Sequence, residues 1–303
     1  MFWGLAAIYT KGMTAPYSIT HSEKPIPLVF DSPHSGTHYP EDFHYACKFE
    51  DLQKAEDKYV DELFACAPEY GAALLLANFP RSYIDVNRRA DDIDPVILAE
   101  SWPFGNINPS SRSDAGIGLI RRLVRPGIPV YDQPLSVEDI TQRIEKYYRP
   151  YHAALEKLIQ DAHYNFGHVW HVNCHSMPGA SARPKQPIGL IGRLPREADF
   201  VLGDRDGTSC DLDFTHAMRD FLKGLGYTVT INDPFKGVEL VHRYSAPARG
   251  LHSLQIEINK SLYMNENTNK KTSDFENLRL DIESLVAFCA DYVQSNLMDV
   301  AAD

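Results

Sequence analysis

The chain has no closely spaced cysteine pair: its five thiols, at 47, 66, 174, 210 and 289, are scattered and odd in number. That pattern excludes a disulfide framework and a Cys-x-x-Cys metal knuckle, and it suits reduced thiols in a cytoplasmic protein. No apolar run approaches the roughly 18 residues a membrane-spanning helix needs. The opening MFWGLAAIYTKGM lacks both a basic start and a small-residue cleavage site, so it does not read as a secretion signal. Residues 1–24 are set aside as a candidate N-terminal extension, with Met13 as an alternative start. Positive charge is also short: 30 Lys and Arg against 41 Asp and Glu give a formal net charge of −11. With no basic stripe, a nucleic-acid partner is not expected. An anionic small molecule is still admissible, since it needs only a few local arginines. Three catalytic signatures are missing as well: H-E-x-x-H, G-x-S-x-G and a phosphate-binding P-loop.

The chain does have apolar mass. Of its 303 residues 44% are hydrophobic and 11% aromatic, enough for a substantial core in one α/β domain spanning 1–303. Apolar runs at 27–32, 72–77, 169–174, 200–203, 227–231 and 254–258 read as strands. Amphipathic stretches at 51–67, 136–164, 213–225 and 273–297 read as helices. Ser136-x-x-Asp139 and Ser273-x-x-Glu276 have the form of capping boxes. Strands alternating with helices predict a mostly parallel sheet flanked by helices, with ligands beyond the carboxyl ends of the strands. The stretch 89–134 has little periodicity and much Pro, Gly, Asn and Ser, and reads as an irregular insertion near the site.

Several strand ends carry polar residues. Phe30-Asp31-Ser32-Pro33-His34-Ser35-Gly36 and His171-Val172-Asn173-Cys174-His175-Ser176-Met177 each bring a histidine to a place where a parallel sheet presents ligands. A lone histidine there is more often hydrogen-bonded in a packed interior. Two after two apolar strands suit a catalytic zinc, which takes three protein ligands and a water. Asp57 is the candidate third ligand, because on a helix from residue 51 it joins the apolar stripe of Val60, Phe64 and Ala67. A salt bridge from Asp57 to Arg81 fits that position equally well. Asp31, Asp61 and His38 are reserve ligands. Glu257, on the polar face of 254–259, suits a general base beside a metal; a solvated edge-strand face is the plainer reading. Asn87 and Arg88 suit carboxylate capture, with Arg81, Arg183 and Arg193 as further cations, although surface ion pairs account for most arginines. Cys174 and His175 are adjacent in a strand and point to opposite faces, which argues against a thiol dyad.

At these residues the sequence resembles the N-formylglutamate amidohydrolase family. The matching pieces are Ser32-Pro33-His34-Ser35-Gly36, Asp57-x-x-Val60-Asp61-x-Leu63, Asp85-Val86-Asn87-Arg88, Asn173-Cys174-His175-Ser176-Met177, Leu202-Gly203-Asp204-Arg205, Asn232-x-Pro234-Phe235-x-Gly237 and Gln255-Ile256-Glu257-Ile258-Asn259. Each is short, but the ordered set is specific. It is also distantly similar to zinc carboxypeptidases and aspartoacylases. That likeness implies a zinc-carboxypeptidase-like α/β fold, zinc on His34 and His175, Asn87 and Arg88 gripping a substrate carboxylate, and Glu257 as general base. In that wider group the acidic ligand lies three residues after the first histidine. Here that residue is Thr37, so Asp57 is taken in its place. The implied activity is zinc-dependent hydrolysis of an N-acyl amino acid, with N-formyl-L-glutamate first. A related deacylase or carboxypeptidase, and a non-catalytic acyl-amino-acid-binding protein, are the rivals.

Overall fold

The computed structural model describes residues 15–183 and 197–300, apart from the side chains of 298–300. Met13 and Arg193 lie outside the described residues. Seven strands form one sheet: β1 Tyr17–Thr20, β2 Leu28–Ser32, β3 Ala73–Ala77, β4 Val169–Met177, β5 Phe200–Gly203, β6 Val229–Ile231 and β7 Leu251–Asn259. Their order across the sheet is β1-β3-β2-β4-β7-β5-β6. The neighbours β3, β2, β4 and β7 are parallel. Edge strand β1 is antiparallel to β3, and β5 is antiparallel to β7 while running parallel to β6. The sheet is therefore mixed and mostly parallel, flanked by helices, as the alternation of elements predicts. Residues 17–20, placed by the sequence in the candidate extension, pair as an edge strand of this sheet.

Helices α1 (Val137–Arg143) and α2 (Arg149–Phe166) are joined by a π-helical turn, Ile144–Tyr148. The wide turn admits Pro150, which has no N–H to give a preceding carbonyl. Ser136 caps α1: its Oγ accepts from Asp139 N at 3.1 Å, and Asp139 Oδ2 accepts from Ser136 N at 3.2 Å. These helices cover one face, packing with Val29, Leu75 and Val169. Helices α3 (Leu212–Gly224) and α4 (Phe275–Val300) cover the other, against Leu28, Phe30, Val172, Cys174, Leu254 and Ile256.

A sheet buried on both faces usually carries apolar residues throughout its central strands. Here β4 and β7 alternate instead. Trp170, Val172 and Cys174 join one core, and the intervening His171, Asn173 and His175 are buried and polar. In β7, Ser253, Gln255 and Glu257 repeat the pattern. Cys174 and His175 thus face opposite layers, and burial pushes the Cys174 thiol well above its ordinary range.

The predicted helix 51–67 is not continuous. It is split into Phe49–Gln53 and Val60–Leu63, with Tyr59 in left-handed backbone (φ 67°) between them. Tertiary partners cause the break. Asp57 N donates to His34 O (3.0 Å), Lys260 Nζ to Glu56 O (2.5 Å) and Tyr263 OH to Lys58 O (3.0 Å). The backbone groups a helix would use are satisfied from elsewhere. The stripe argument for Asp57 therefore fails: the residue is buried because it sits in the break, turned toward the sheet.

Candidate metal centre and substrate cavity

The carboxyl ends of β2, β3, β4 and β7 point the same way, and the site lies above them. His34 follows β2. Gly36, two residues on, packs so tightly that a Cβ there would stand 2.5 Å from Asn78 C and Phe79 O. His175 belongs to β4 and sits in register beside Glu257 of β7. Asp57 enters from the helix break.

Three atoms converge. His34 Nδ1 and His175 Nδ1 are 3.1 Å apart, and Asp57 Oδ2 lies 3.3 Å from the first and 3.1 Å from the second. Two donors or acceptors can share one proton, but three groups in such a triangle want a cation. Ligands about 2.0–2.1 Å from a tetrahedral zinc stand roughly 3.3 Å apart, so these residues fit a zinc ion. The far nitrogens agree. His34 Nε2 meets Asp85 Oδ1 at 2.7 Å and His175 Nε2 meets Asn173 Oδ1 at 2.7 Å. A proton on each Nε2 leaves both Nδ1 lone pairs aimed at the triangle, the usual backing of a metal-binding histidine. Asp85 also accepts from Arg81 Nη2 (2.9 Å) and Asn87 N (2.9 Å). Burial opposes its ionisation, but the adjoining His34 ring and the charges of Arg81 and Arg88 hold it well below the usual carboxylate range.

Asp57 Oδ1 is 3.7 Å from Arg81 Nη1 and 3.9 Å from Lys260 Nζ. Burial raises its pKa, but the facing His175 and His34 rings and the charge of Arg81 outweigh that and hold it well below its ordinary value. Glu257 goes the other way. Burial pushes its carboxyl up to about 7, against the opposing pull of His175. Its Oε1 accepts from Gln255 Nε2 at 3.0 Å.

Over these groups opens a cavity of about 490 Å³, lined by His34, His175 and Glu257 and by four arginines, Arg81, Arg88, Arg112 and Arg121. Only Arg81 pairs with carboxylates among the described residues, as the salt bridge with Asp57 supposed on the sequence, and with Asp85 besides. Arg88 is buried and gives its N–H groups to the carbonyls of Asn87 (2.9 Å) and Ile117 (3.3 Å). Arg121 is 9% exposed and its Nε has no partner. Burial, then the neighbouring Arg81 charge, push its pKa down, the mark of a cation short of an anion. Arg112 and Arg121 come from the irregular stretch 89–134. Buried Asp92 pins that stretch, accepting from Ser110 N (2.6 Å), Ser110 Oγ (2.8 Å) and Ser113 Oγ (2.6 Å).

Asn87 lines the cavity, yet its amide is engaged: Oδ1 accepts from Leu240 N (3.0 Å) and Nδ2 lies 3.1 Å from His175 Nε2. Arg183 is exposed, pairs with Glu197 (3.0 Å) and does not line the cavity. Asp31 is buried behind the site, and Asp61 and His38 are not in the triangle. Sequence reasoning did not single out Asp85 and Asn173 as histidine partners, although both sit in the quoted motifs. It missed Arg112, Arg121 and Lys260 altogether. A second cluster, Cys210, Asp211 and His252, is occupied otherwise: Asp211 caps α3 through Phe214 N (2.6 Å) and takes Trp170 Nε1 (3.0 Å).

The N-formylglutamate amidohydrolase family profile matches residues 26–264. A solved N-formylglutamate amidohydrolase from Ralstonia eutropha JMP134 is 42% identical, with a TM-score of 0.87 over 93% of this chain and 100% of that one. N-formylglutamate deformylases from Pseudomonas putida and Pseudomonas aeruginosa are each 27% identical over 245 residues, 80% of this chain and 83% of theirs. An Agrobacterium tumefaciens gene product, 18% identical with a TM-score of 0.63, shares the fold. From the matched motifs, the shared architecture and the breadth of the alignment, the chain belongs to the N-formylglutamate amidohydrolase family.

Proposed function

We propose that this chain hydrolyses N-formyl-L-glutamate to formate and L-glutamate, with a zinc ion held by His34, Asp57 and His175. The observation that carries the reading is the triangle of His34 Nδ1, His175 Nδ1 and Asp57 Oδ2, with sides of 3.1–3.3 Å, on the floor of a cavity rich in unpaired arginines. Bound there, zinc would supply Lewis acidity at the formyl oxygen and lower the pKa of the attacking water toward about 7. Glu257 takes a proton from that water as its oxygen adds to the formyl carbon. The same carboxyl returns the proton to the nitrogen as the C–N bond breaks, and the remaining hydroxyl proton passes to the released amine, so formate and an ammonium leave. Burial raises the Glu257 carboxyl above its ordinary value, and a carboxyl that readily holds a proton suits both halves of that exchange.

The substrate's two carboxylates call for two cations beyond any already paired. Arg88, Arg112 and Arg121 have no carboxylate partner among the described residues, and guanidinium grips carboxylate through paired N–H bonds. Arg81 has its charge engaged by Asp85 and Asp57, and Arg183 is paired with Glu197. Asn87 serves by seating Arg88, whose Nη1 donates to its carbonyl, and by contacting His175.

The test combines metal analysis of the purified protein with formate release from N-formyl-L-glutamate, with and without chelator. Expected are bound zinc and release that chelator abolishes and zinc restores. A folded, zinc-loaded protein that cleaves longer acyl groups but not formyl would move it to a related deacylase. One that cleaves nothing while binding formylglutamate would make it a binding protein.

A further inference from the structure

Behind the cavity floor lies a polar layer that the proposed reaction does not touch. Its hub is Asp31 of β2, wholly buried and in register beside Asn173 of β4. Asp31 Oδ2 accepts from Tyr151 OH (2.6 Å), and Oδ1 accepts from Asn173 Nδ2 (2.7 Å) and His171 Nε2 (2.8 Å). The far nitrogen of His171 bonds to Ser253 Oγ at 2.7 Å. No lysine or arginine pairs with Asp31 among the described residues. A buried carboxylate held by side-chain hydrogen bonds rather than a fixed cation is costly to keep. An apolar residue would fill that space at less cost, so the charge needs a reason.

Its geometry supplies one. An ionised carboxylate only accepts hydrogen bonds, so the Asn173 amide must turn its NH2 toward Asp31. That leaves Asn173 Oδ1 facing His175 Nε2 at 2.7 Å, a contact that requires a proton on Nε2. The Asn87 amide makes the opposite demand. Its Oδ1 is taken by Leu240 N, so it offers its NH2 to the same Nε2 at 3.1 Å. Two amides compete at Nε2 of one imidazole, and of the two only Asn173 is anchored by a charge; at Nδ1 stands Asp57 Oδ2, 3.1 Å away, where a metal ion would replace the proton that carboxylate attracts. We propose that Asp31 is a positioning residue: by fixing the Asn173 amide it holds His175 as the Nε2–H tautomer, keeping the Nδ1 lone pair for a metal ion. The inference rests on His34, Asp57 and His175 being the metal site of the preceding section.

In Asp31→Asn the new amide can present its own NH2 to Asn173. Asn173 can then flip, and both neighbouring amides drive the His175 proton onto Nδ1. Two readouts follow it: the His175 tautomer in metal-free, 15N-histidine-labelled Asp57→Ala protein near pH 8, where no carboxylate faces Nδ1, assigned by loss of signal in His175→Gln, and zinc affinity of the protein with Asp57 intact by competition with a chromophoric chelator. Expected are an Nε2–H tautomer in Asp57→Ala, a shift toward Nδ1–H when Asp31→Asn is added to it, and zinc binding weakened about 10–100-fold by Asp31→Asn alone. Tyr151→Phe, which removes only the bond to Oδ2, is expected to lose stability but keep zinc affinity within about threefold. Unchanged tautomer and affinity in folded Asp31→Asn overturn the inference. If Asp31→Asn does not fold, an Nδ1–H tautomer in Asp57→Ala does the same. Failure of the unsubstituted protein to bind zinc instead overturns the metal reading itself.

Discussion

Two carboxyl groups near the cavity floor respond to burial in opposite directions. Asp57 is held well below the usual carboxylate range because His175, His34 and Arg81 outweigh its desolvation. Glu257 has weaker support and is pushed up to about 7. One is a permanent anion suited to a ligand, the other a group that can exchange a proton near neutrality. Glu257→Gln is therefore expected to lower kcat by about 10²–10⁴-fold with zinc content unchanged, read by formate release and metal analysis. Near-normal turnover would remove Glu257 from the role of base. The base must be ionised to act, so kcat/KM falls as pH drops through its pKa. A bound cation lowers that pKa, placing the acid limb below pH 7. Arg121 tests the substrate side. Arg121→Met removes a buried cation that lacks an anion until substrate arrives. It is expected to raise KM for formylglutamate roughly 10–100-fold, from about 1.5–3 kcal/mol of charged hydrogen bonding. In the free protein it should stabilise the fold, so the denaturation midpoint rises as KM worsens. His34, His175 and Glu257 stood out in the sequence because each interrupts or ends an apolar strand run. Arg112 and Arg121 sit in a stretch without periodicity, where nothing distinguishes them from surface arginines.

Among the elements, six of the seven sheet strands were legible; edge strand β1, lost in the candidate extension, and one helix were not. Residues 51–67 carry a helical pattern, but Lys260, Tyr263 and the His34 segment take over the polar groups of 56–58 and open a kink at Tyr59. Those partners are some 200 residues away or belong to another turn, so a local window cannot see them. The same reasoning explains the short prediction for β4. The apolar signal stops at Cys174, while the strand continues to Met177 because β7 pairs with it over its full length. The turn after β2 is where element geometry governs the site. An alanine at Gly36 would press a methyl into the 77–79 backbone, 2.5–2.6 Å away, which must yield or push His34 aside. Gly36→Ala is expected to cost about 1–3 kcal/mol in a denaturant titration, as overpacking does, and to weaken zinc binding in the folded protein. Full stability together with unchanged zinc affinity would show that the turn is more yielding than its packing indicates.

For the whole molecule, the alternation of strands and helices announced an α/β sheet, but not its strand order or the reversal of β5 and β6. Pairing of strands far apart in sequence depends on non-local contacts that one sequence does not display. No described helix is long and apolar enough to cross a membrane. The three proposed ligands sit at positions 34, 57 and 175 and come together only when β2 and β4 are paired. On the proposed metal reading zinc would bind the folded chain far better than the unfolded one, and its binding energy would add to stability. Free zinc at 100 times its dissociation constant adds about 2.7 kcal/mol. At about 2–4 °C per kcal/mol for a chain of this order, chelation is expected to lower Tm by roughly 5–10 °C in a calorimetric scan. A Tm indifferent to chelator would place the metal elsewhere or nowhere. The strand alternation that aims His175 at the cavity aims Cys174 into the opposite core, and all five thiols have pKa values raised, chiefly by burial. A raised thiol pKa thins out the reactive thiolate at neutral pH, so the folded protein is expected to take up an alkylating reagent slowly at all five cysteines and quickly only once denatured.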